Sequence, residues 1–303
     1  MSIPYSKPWL PIEDQLAKLE SRGLAVGDRA GAIDFLKHIN YYCFKGYGLA
    51  FEQPRHRYCA GTNFEKIRQT YEFDRALRDL FTESIELVEL DLRATIARTF
   101  AQTHGPFGHT DPAHFFNRNG HHQWLETLRN EAERATDAFA EHFKATYLEY
   151  PDLPIWVATE IMSFGSLSRM LQCMTRDDQK RVASRHALQP RTLVSCVHHM
   201  VYIRNLCAHH ARLWDRTWAI TPELPAGNAW APPYLPHKNR LFASLLVQAV
   251  FLRNIRAEKT FINAWKQRVQ NLIETQLPAC PAPLDKMGLP ASWKNHPVWQ
   301  QIA

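Results

Sequence analysis

The segment from Asn63 to Thr103, which contains neither proline nor glycine, constrains the fold of this chain more than any other feature of its sequence. Apolar residues recur along it at intervals of three and four, the spacing that places side chains on one face of an α-helix. The sequence His104-Gly105-Pro106 that follows breaks such a helix. We therefore predict one long helix here, or two that are nearly continuous.

Helical spacing also dominates the rest of the chain, and a strand pattern appears only weakly, between Tyr41 and Phe51. Further helices are predicted at 11–22, 28–39, 121–150, 155–174, 176–186, 190–214, 238–256 and 259–277. The helix at 155–174 is predicted to be interrupted at Phe164-Gly165, and a proline-rich loop covers 221–236. The fold class is therefore all-α. We expect a small N-terminal helical region at 1–60, a helical bundle at 61–277 and a proline-punctuated C-terminal tail at 278–303.

The composition is that of a folded protein and argues against several other classes. With 45% hydrophobic and 22% charged residues, the chain can bury a core and is not expected to be disordered. Its longest apolar stretch, 241–252, is too short to cross a bilayer, and its start lacks the basic flank and apolar run of a signal peptide. We therefore expect a cytoplasmic protein with no membrane partner. The net charge of +6 favours a polyanionic partner.

Cysteine and histidine patterns suggest two metal sites, and both are weak. A loop after the long helix carries five histidines at irregular gaps, which is more typical of an exposed loop than of a ligand set: His104, His109, His114, His121 and His122. Cys196-x-x-His199 and Cys207-x-x-His210 superficially repeat a zinc-ligand pair. On one helix, however, the two cysteines would lie about 16 Å apart, too far to share an ion. We therefore predict no metal and no cofactor.

The segment RNLCAHHARL, which begins at Arg204, carries the most chemically informative pattern in the chain. On a continuous helix Asn205 and His209 share a face, and Arg204 projects from its flank with a side chain long enough to reach around. Arg212 and Arg216 add positive charge just beyond. A guanidinium, an amide and an imidazole are therefore expected to crowd one end of one helix.

These residue types suit the cleavage of an RNA phosphodiester. The 2′-hydroxyl of RNA can act as the nucleophile, so an enzyme need supply only a proton acceptor or donor near neutral pH and a cation for the phosphate. Histidine meets the first need and arginine the second. The pattern RNxxxH alone is a weak signal, because a helix end with solvated arginine and histidine is a common alternative.

Several landmarks together resemble a known family. They are KPWLPIEDQLAKLESRGL near the start, INYYCFKGYGLAF, IELVELDLRATIA, LPIWVATEIMSFGSLS and RNLCAHHARLWDR. The chain resembles the Abi-like, abortive-infection (AbiD/AbiF-type) proteins of bacteria, which belong to the HEPN ribonuclease superfamily. The resemblance covers most of the chain, and its last landmark is similar to the Arg-x4-6-His nuclease motif of that superfamily.

The resemblance implies a role for each residue of the motif. Arg204 would stabilise the phosphate, His209 would act as general acid/base, and Asn205 would be their polar neighbour. His210 also satisfies the permitted spacing, so the choice of imidazole stays open. Phosphate contacts beyond the motif are expected from Arg212, Arg216, Lys238 and Arg240.

Three more residues match the family outside the motif. Glu89 and Arg93 lie four apart on the long predicted helix and match a charged pair that could orient the site. An ordinary intrahelical ion pair is the equally good alternative. Glu160 lies in the tract LPIWVATEIMSFGSLS and could support the site from behind.

The resemblance further implies a biological role and partners. It implies a HEPN-type helical bundle, a homodimer that brings two motifs face to face, and metal-independent cleavage of RNA in phage defence. A regulatory RNA or an antitoxin protein could control such an enzyme. Two alternatives remain: a non-catalytic RNA-binding regulator, and a helical protein-interaction module. Arg204, Asn205 and His209 favour the nuclease, because a binding surface needs basic charge but not an imidazole beside it.

Overall fold

The computed structural model describes residues 4, 6, 8–255 and 259–300, so the ends of the predicted N-terminal region and tail, and the junction of the last two predicted helices, lie outside the described residues. Within them the fold is all-α, and short 3-10 turns and three isolated β-bridges complete it. The α-helices are α1 (Ile12–Glu20), α2 (Arg29–His38), α3 (Tyr41–Gly48), α4 (Phe64–His104), α5 (Arg118–Arg134), α6 (Ala138–Thr146), α7 (Ile155–Ile161), α8 (Phe164–Cys173), α9 (Arg176–Arg185), α10 (Pro190–Ala208), α11 (Leu241–Asn254), α12 (Lys259–Gln276) and α13 (Pro283–Met287).

The long helix predicted at 63–103 is confirmed as the single helix α4. Asn63 begins it by accepting a hydrogen bond from the amide of Lys66, at 2.9 Å, through its side-chain oxygen. The helix ends before Gly105, which takes a positive φ of 76°. Its spacing of apolar residues is realised as a stripe of fully buried side chains: Phe81, Ile85, Val88, Leu92, Ile96 and Phe100.

The weak strand pattern between Tyr41 and Phe51 does not become a strand, because Tyr41–Gly48 forms helix α3 and Leu49–Phe51 a 3-10 turn. The side chain of Asn40 begins the helix by accepting a hydrogen bond from the amide of Tyr42, at 2.8 Å. Phe44 and Tyr47 are three residues apart and both are buried, so the period of burial is helical. Aromatic residues favour strands by propensity, and here the core overrides that preference.

Two predicted helices are divided in the structure. The helix predicted at 121–150 consists of α5 and α6, separated where Thr136 and Asp137, both weak helix formers, occur together. The interruption predicted at Phe164-Gly165 lies slightly earlier, at Met162 and Ser163. The Ser163 hydroxyl accepts a hydrogen bond from the amide of Ser166, at 3.1 Å, and so begins α8.

The chain divides into two compact units, of which the first comprises Met1–Leu77 and Val269–Pro283. Its core is rich in aromatic rings: Phe44 stacks on Phe64 with 4.4 Å between ring centroids. The hydroxyl of Tyr47 donates a hydrogen bond of 2.7 Å to the buried carboxylate of Asp74. The aromatic run after α2 therefore serves mainly as core.

The second unit comprises Arg78–Arg268 and Leu284–Ala303 and contains the predicted site. Helix α11 is apolar on every side and lies almost entirely buried within it, as expected for a helix without a hydrophilic face. Helix α8 packs against both α5 and α10, and α9 packs against α10. Among the described residues, no helix is both long enough and apolar enough to cross a membrane.

Candidate active site

The candidate site lies where α10 ends. This helix begins with Pro190 in its first turn and runs to Ala208, rather than through residue 214 as predicted. His209 is therefore not a helical residue but the C-cap, with φ −92° and ψ 14°. The amide of His209 still donates to the carbonyl of Asn205, at 3.0 Å, which is the bond from residue i to residue i−4 that defines an α-helix.

The turn after the helix is a Schellman motif with an unusual residue at its centre. The amide of His210 donates to the carbonyl of Cys207 at 3.0 Å, and the amide of Ala211 donates to the carbonyl of Leu206 at 2.8 Å. His210 takes the left-handed conformation, with φ 53°, a position usually occupied by glycine. A histidine there costs ~1 kcal/mol of backbone strain.

Burial of the residues that follow explains why the helix stops. After the turn, Leu213 and Trp214 are fully buried. Burying a side chain of that size contributes about 2–3 kcal/mol, which exceeds the ~1 kcal/mol of strain at His210. The chain therefore leaves the helix so that these two side chains reach the core.

Four polar side chains surround this helix end, and all are exposed: Arg204, Asn205, His209 and His210. A guanidinium nitrogen of Arg204 lies 3.5 Å from the side-chain oxygen of Asn205, a weak contact at the limit of hydrogen bonding. Within the described residues, neither imidazole ring of the histidine pair makes a hydrogen bond. The two rings are therefore open to a ligand.

Most other histidines of the second unit serve the structure instead. His109, His186 and His199 are fully buried, and burial lowers the pKa of each to about 4. His121 is also buried, and it lies 2.8 Å from the carbonyl of His109. The expectation that the loop from His104 to His122 is simply exposed was therefore wrong, because part of it packs into the core.

Positive charge beyond the motif is partly engaged within the chain. The carboxylate of Asp215, a residue that also has a positive φ, lies 3.6 Å from Arg240 and 3.4 Å from Lys286. A guanidinium nitrogen of Arg216 donates to the carbonyl of Arg212 at 3.1 Å. The carbonyl end of a helix repels anions. A phosphate would therefore bind at this helix end only because the arginine and lysine side chains around it are positively charged.

The other predicted phosphate contacts differ in how they are held. Lys238 is exposed on the loop before α11, whereas Arg240 is only 28% exposed at its side chain and is paired with Asp215. Lys238 is therefore exposed to solvent, whereas the charge of Arg240 is largely neutralised by Asp215.

Zinc ligation by the cysteines of α10 is disfavoured by the structure as well as by spacing. Cys196 and Cys207 both lie on this one helix, as the distance argument requires. Burial raises the pKa of the Cys196 thiol to about 12, as is usual for a cysteine packed in a core.

Comparison with protein families finds one that covers the site. The model of a family described as Abi-like protein matches residues 34–215. The chain belongs to this family. The match begins within α2 and ends at Asp215, so it includes the whole of α10 and the turn that follows. Comparison with curated proteins and with solved structures gives no match. Membership points to a function of the abortive-infection type.

In this Abi-like protein, the charged pair Glu89 and Arg93 lies within α4 and contacts the C-terminal end of α7. Arg93 is paired with Glu89 and also donates to the carbonyl of Thr159 and, at 3.2 Å, to that of Glu160. These carbonyls belong to the last turn of α7, where no partner exists within the helix. The side chain of Glu160 itself is exposed. No hydrogen bond or ion pair among the described residues joins these three to the motif, and the contacts of Arg93 are with Glu89 and with the end of α7.

The apolar residues beside the motif of the Abi-like protein divide into two groups. Met200, Leu213 and Trp214 are fully buried in the chain's own core. Tyr202 and Leu206 remain partly exposed. Only the second pair is therefore open to a partner chain.

Some features of the site carry no signal in the sequence. Lys286 reaches Asp215 across 71 positions of the chain, and nothing in its local sequence indicates this. The left-handed turn at His210 is also hidden, because glycine, the usual signal, is missing.

Proposed function

We propose that this Abi-like protein is a metal-independent endoribonuclease of the HEPN type, which acts in bacterial abortive infection. The observation that supports this most is the contrast between its histidines. Deeply buried ones such as His199 pack into the core, whereas the adjacent pair His209 and His210 is exposed beside Arg204, with no hydrogen bond to either ring among the described residues. A purely structural turn would not need two open imidazoles next to a guanidinium.

The proposed reaction uses the substrate's own nucleophile. An imidazole removes the proton from the 2′-hydroxyl, the 2′-oxygen attacks the adjacent phosphorus, and the bond to the 5′-oxygen breaks as that oxygen receives a proton. Arg204 stabilises the charge that develops on the phosphate. The products are a 2′,3′-cyclic phosphate and a free 5′-hydroxyl. Asn205, whose side-chain oxygen lies 3.5 Å from the guanidinium, would orient the imidazole or hold a phosphate oxygen.

The proposed site is completed by a second copy of the chain. Cleavage needs one group to accept a proton and another to donate one. In an isologous dimer the same helix end from both subunits can meet across the two-fold axis and supply both. Tyr202 and Leu206, the partly exposed apolar residues of α10, would contribute to such an interface. RNA is the proposed substrate, the cytoplasm is the proposed compartment, and a regulatory RNA or antitoxin protein would restrain the activity.

Expression in a bacterial host tests the proposal directly. Wild-type protein and the His209→Ala and His210→Ala variants are induced, and RNA ends are mapped by sequencing. We expect growth arrest and new 2′,3′-cyclic phosphate ends with the wild type, and their loss in at least one variant. Purified enzyme should retain its activity in EDTA. Folded protein that binds RNA without generating new ends would support the RNA-binding regulator instead.

A further inference from the structure

A second feature of the second unit lies outside the motif: a cavity of about 720 Å³ between α8, α9 and α10. Side chains that line it include Phe116, Arg176, Arg191, Ser195, His198 and Glu223. None of the residues predicted from the sequence lines this cavity. The cavity therefore needs an explanation of its own.

The cavity and the motif lie on one stripe of α10. Arg191, Ser195 and His198 follow at intervals of four and three, which places them on one face of the helix. The same intervals continue to Tyr202 and Asn205. At 1.5 Å per residue, Asn205 lies roughly 10 Å along the axis from His198. An RNA strand bound along this face of α10 would therefore reach the cavity within a few nucleotides of the motif.

Phe116 forms the apolar rim of the cavity and is held in place by its backbone. Its amide donates to the carbonyl of Cys173 at 3.1 Å, and the preceding residue pairs with Met174 in a β-bridge. Phe115 is extended, with φ −128° and ψ 136°, so adjacent side chains point in opposite directions. Phe115 is buried and stacks on His121, and the ring of Phe116 is in consequence 71% exposed.

Charges in the cavity are predominantly positive. Arg176 and Arg191 face a single carboxylate, that of Glu223, which lies 2.7 Å from Arg191. Glu223 is itself positioned by the Ser195 hydroxyl, which accepts a hydrogen bond of 2.8 Å from its amide. Arg176 is exposed and forms no ion pair among the described residues. An anion near Arg176 is therefore favoured.

We propose that this cavity is a subsite for one unpaired nucleotide of the RNA substrate, with its base stacked on Phe116 and its phosphate near Arg176 and His198. The inference rests on the proposed ribonuclease function and extends it by assigning single-stranded RNA as the substrate. An exposed ring whose backbone is held in place suits base stacking, which contributes about 1–3 kcal/mol per base and tolerates any sequence. A base within a duplex presents no free face to such a ring.

Binding of a short single-stranded 2′-O-methyl oligoribonucleotide tests this subsite. Its 2′-oxygens cannot attack, so the probe is not cleaved and binding is measured on the full-length protein. We expect Phe116→Ala to weaken the Kd about tenfold and Phe116→Trp to preserve it. Phe139→Ala, which removes another exposed ring of the same unit outside the cavity, is the matched control and should have no effect. Affinity for a duplex of the same length should not change with Phe116→Ala.

A probe with one abasic nucleotide locates the contact. When the missing base is the one that stacks on Phe116, the abasic probe should bind wild type about tenfold more weakly than the intact probe does. The Phe116→Ala variant should then bind the abasic probe with the same Kd as wild type. Arg176→Gln should reduce the slope of log Kd against log salt by about 0.7, the value for one phosphate contact on a single strand. Arg134→Gln, an exposed arginine outside the cavity, is the charge-matched control and should affect the slope less.

The outcomes separate this inference from the proposed function. The subsite is overturned if Phe116→Ala and Phe139→Ala reduce the affinity equally. It is also overturned if Phe116→Ala changes the Kd of the abasic probe wherever the missing base is placed. If cleavage still occurs in that case, the ribonuclease stands without it. If RNA is bound through Phe116 but never cleaved, the subsite stands and the catalytic proposal fails. Because Phe116 is exposed, its replacement should leave the melting temperature unchanged.

Discussion

His199 and Ser244 are joined by a hydrogen bond of 2.8 Å between the Nε2 atom of the imidazole and the hydroxyl oxygen. The other ring nitrogen, Nδ1, lies 2.6 Å from the carbonyl oxygen of Ile220, which can only accept, so Nδ1 carries a proton. Burial lowers the pKa of His199 to about 4, so near neutral pH the ring is neutral and Nε2 accepts from the hydroxyl. Helix α10 thus carries a histidine held in a neutral state, and the turn that ends this helix, ten positions later, carries a pair of histidines open to solvent.

Acid should destabilise the fold through His199 and His109. Both have a pKa of about 4 in the folded chain and about 6.5 when unfolded, so the unfolded state binds more protons between these values. Their stabilisation is complete above about pH 6.5 and is lost as the pH falls toward 4, at about 1.4 kcal/mol per pH unit for each histidine. Thermal unfolding measured across this range should show the melting temperature falling with pH, and His199→Gln should reduce the slope. A melting temperature that stays level across it would contradict the buried, neutral state.

Replacing His210 with glycine should stabilise the protein. Glycine adopts the left-handed conformation without the strain that a side chain imposes, so His210→Gly should raise the free energy of unfolding by about 0.5–1 kcal/mol. His209→Gly is the matched control: its φ is negative, so no such gain is expected. Urea denaturation monitored by circular dichroism measures both. The same two variants identify the general acid/base. If a single imidazole acts, the variant that lacks it should lose cleavage and the other variant should retain it.

Arg93→Met should unfold the protein more easily, by about 3 kcal/mol. The change leaves the carboxylate of Glu89 unpaired in a largely buried position and removes the donor for the last turn of α7. Glu89→Gln combined with Arg93→Met should cost less than Arg93→Met alone, because no charge is then left without a partner. Cleavage assayed well below the melting temperature separates this structural role from a catalytic one. A large loss of kcat in folded Arg93→Met protein would return Arg93 to the active site.

Mixing two inactive variants tests the composite site. Arg204→Ala and His209→Ala proteins are denatured together and refolded, so that heterodimers form. Partial recovery of cleavage is expected if one arginine and one histidine, drawn from opposite subunits, suffice. If all four groups are required, the mixture stays inactive, but each variant should still sediment as a dimer. A fully active monomer would rule out the composite site and leave His209 and His210 of one chain as the acid/base pair.

The sequence predicted what depends on local spacing and missed what depends on distant burial. The stripe of α4 is a periodic pattern within one helix, so counting residues was enough to find it. The end of α10 was misplaced because burial of Leu213 and Trp214 sets it, and burial of that kind is a property of the whole core. The position of Phe116 depends in the same way on a bond to Cys173, which is distant in sequence.

The contacts of Asp215 set a time at which the site can form during synthesis. The ribosome releases the motif at Arg204 before it releases Arg240 and Lys286, the partners of Asp215, and before α11, which the second unit encloses. The surroundings of the motif are therefore incomplete until Lys286 has emerged from the ribosome. A cell that makes this protein would not face an assembled site on a nascent chain. For the proposed ribonuclease, we expect a chain that stops short of Lys286 to be harmless to the cell.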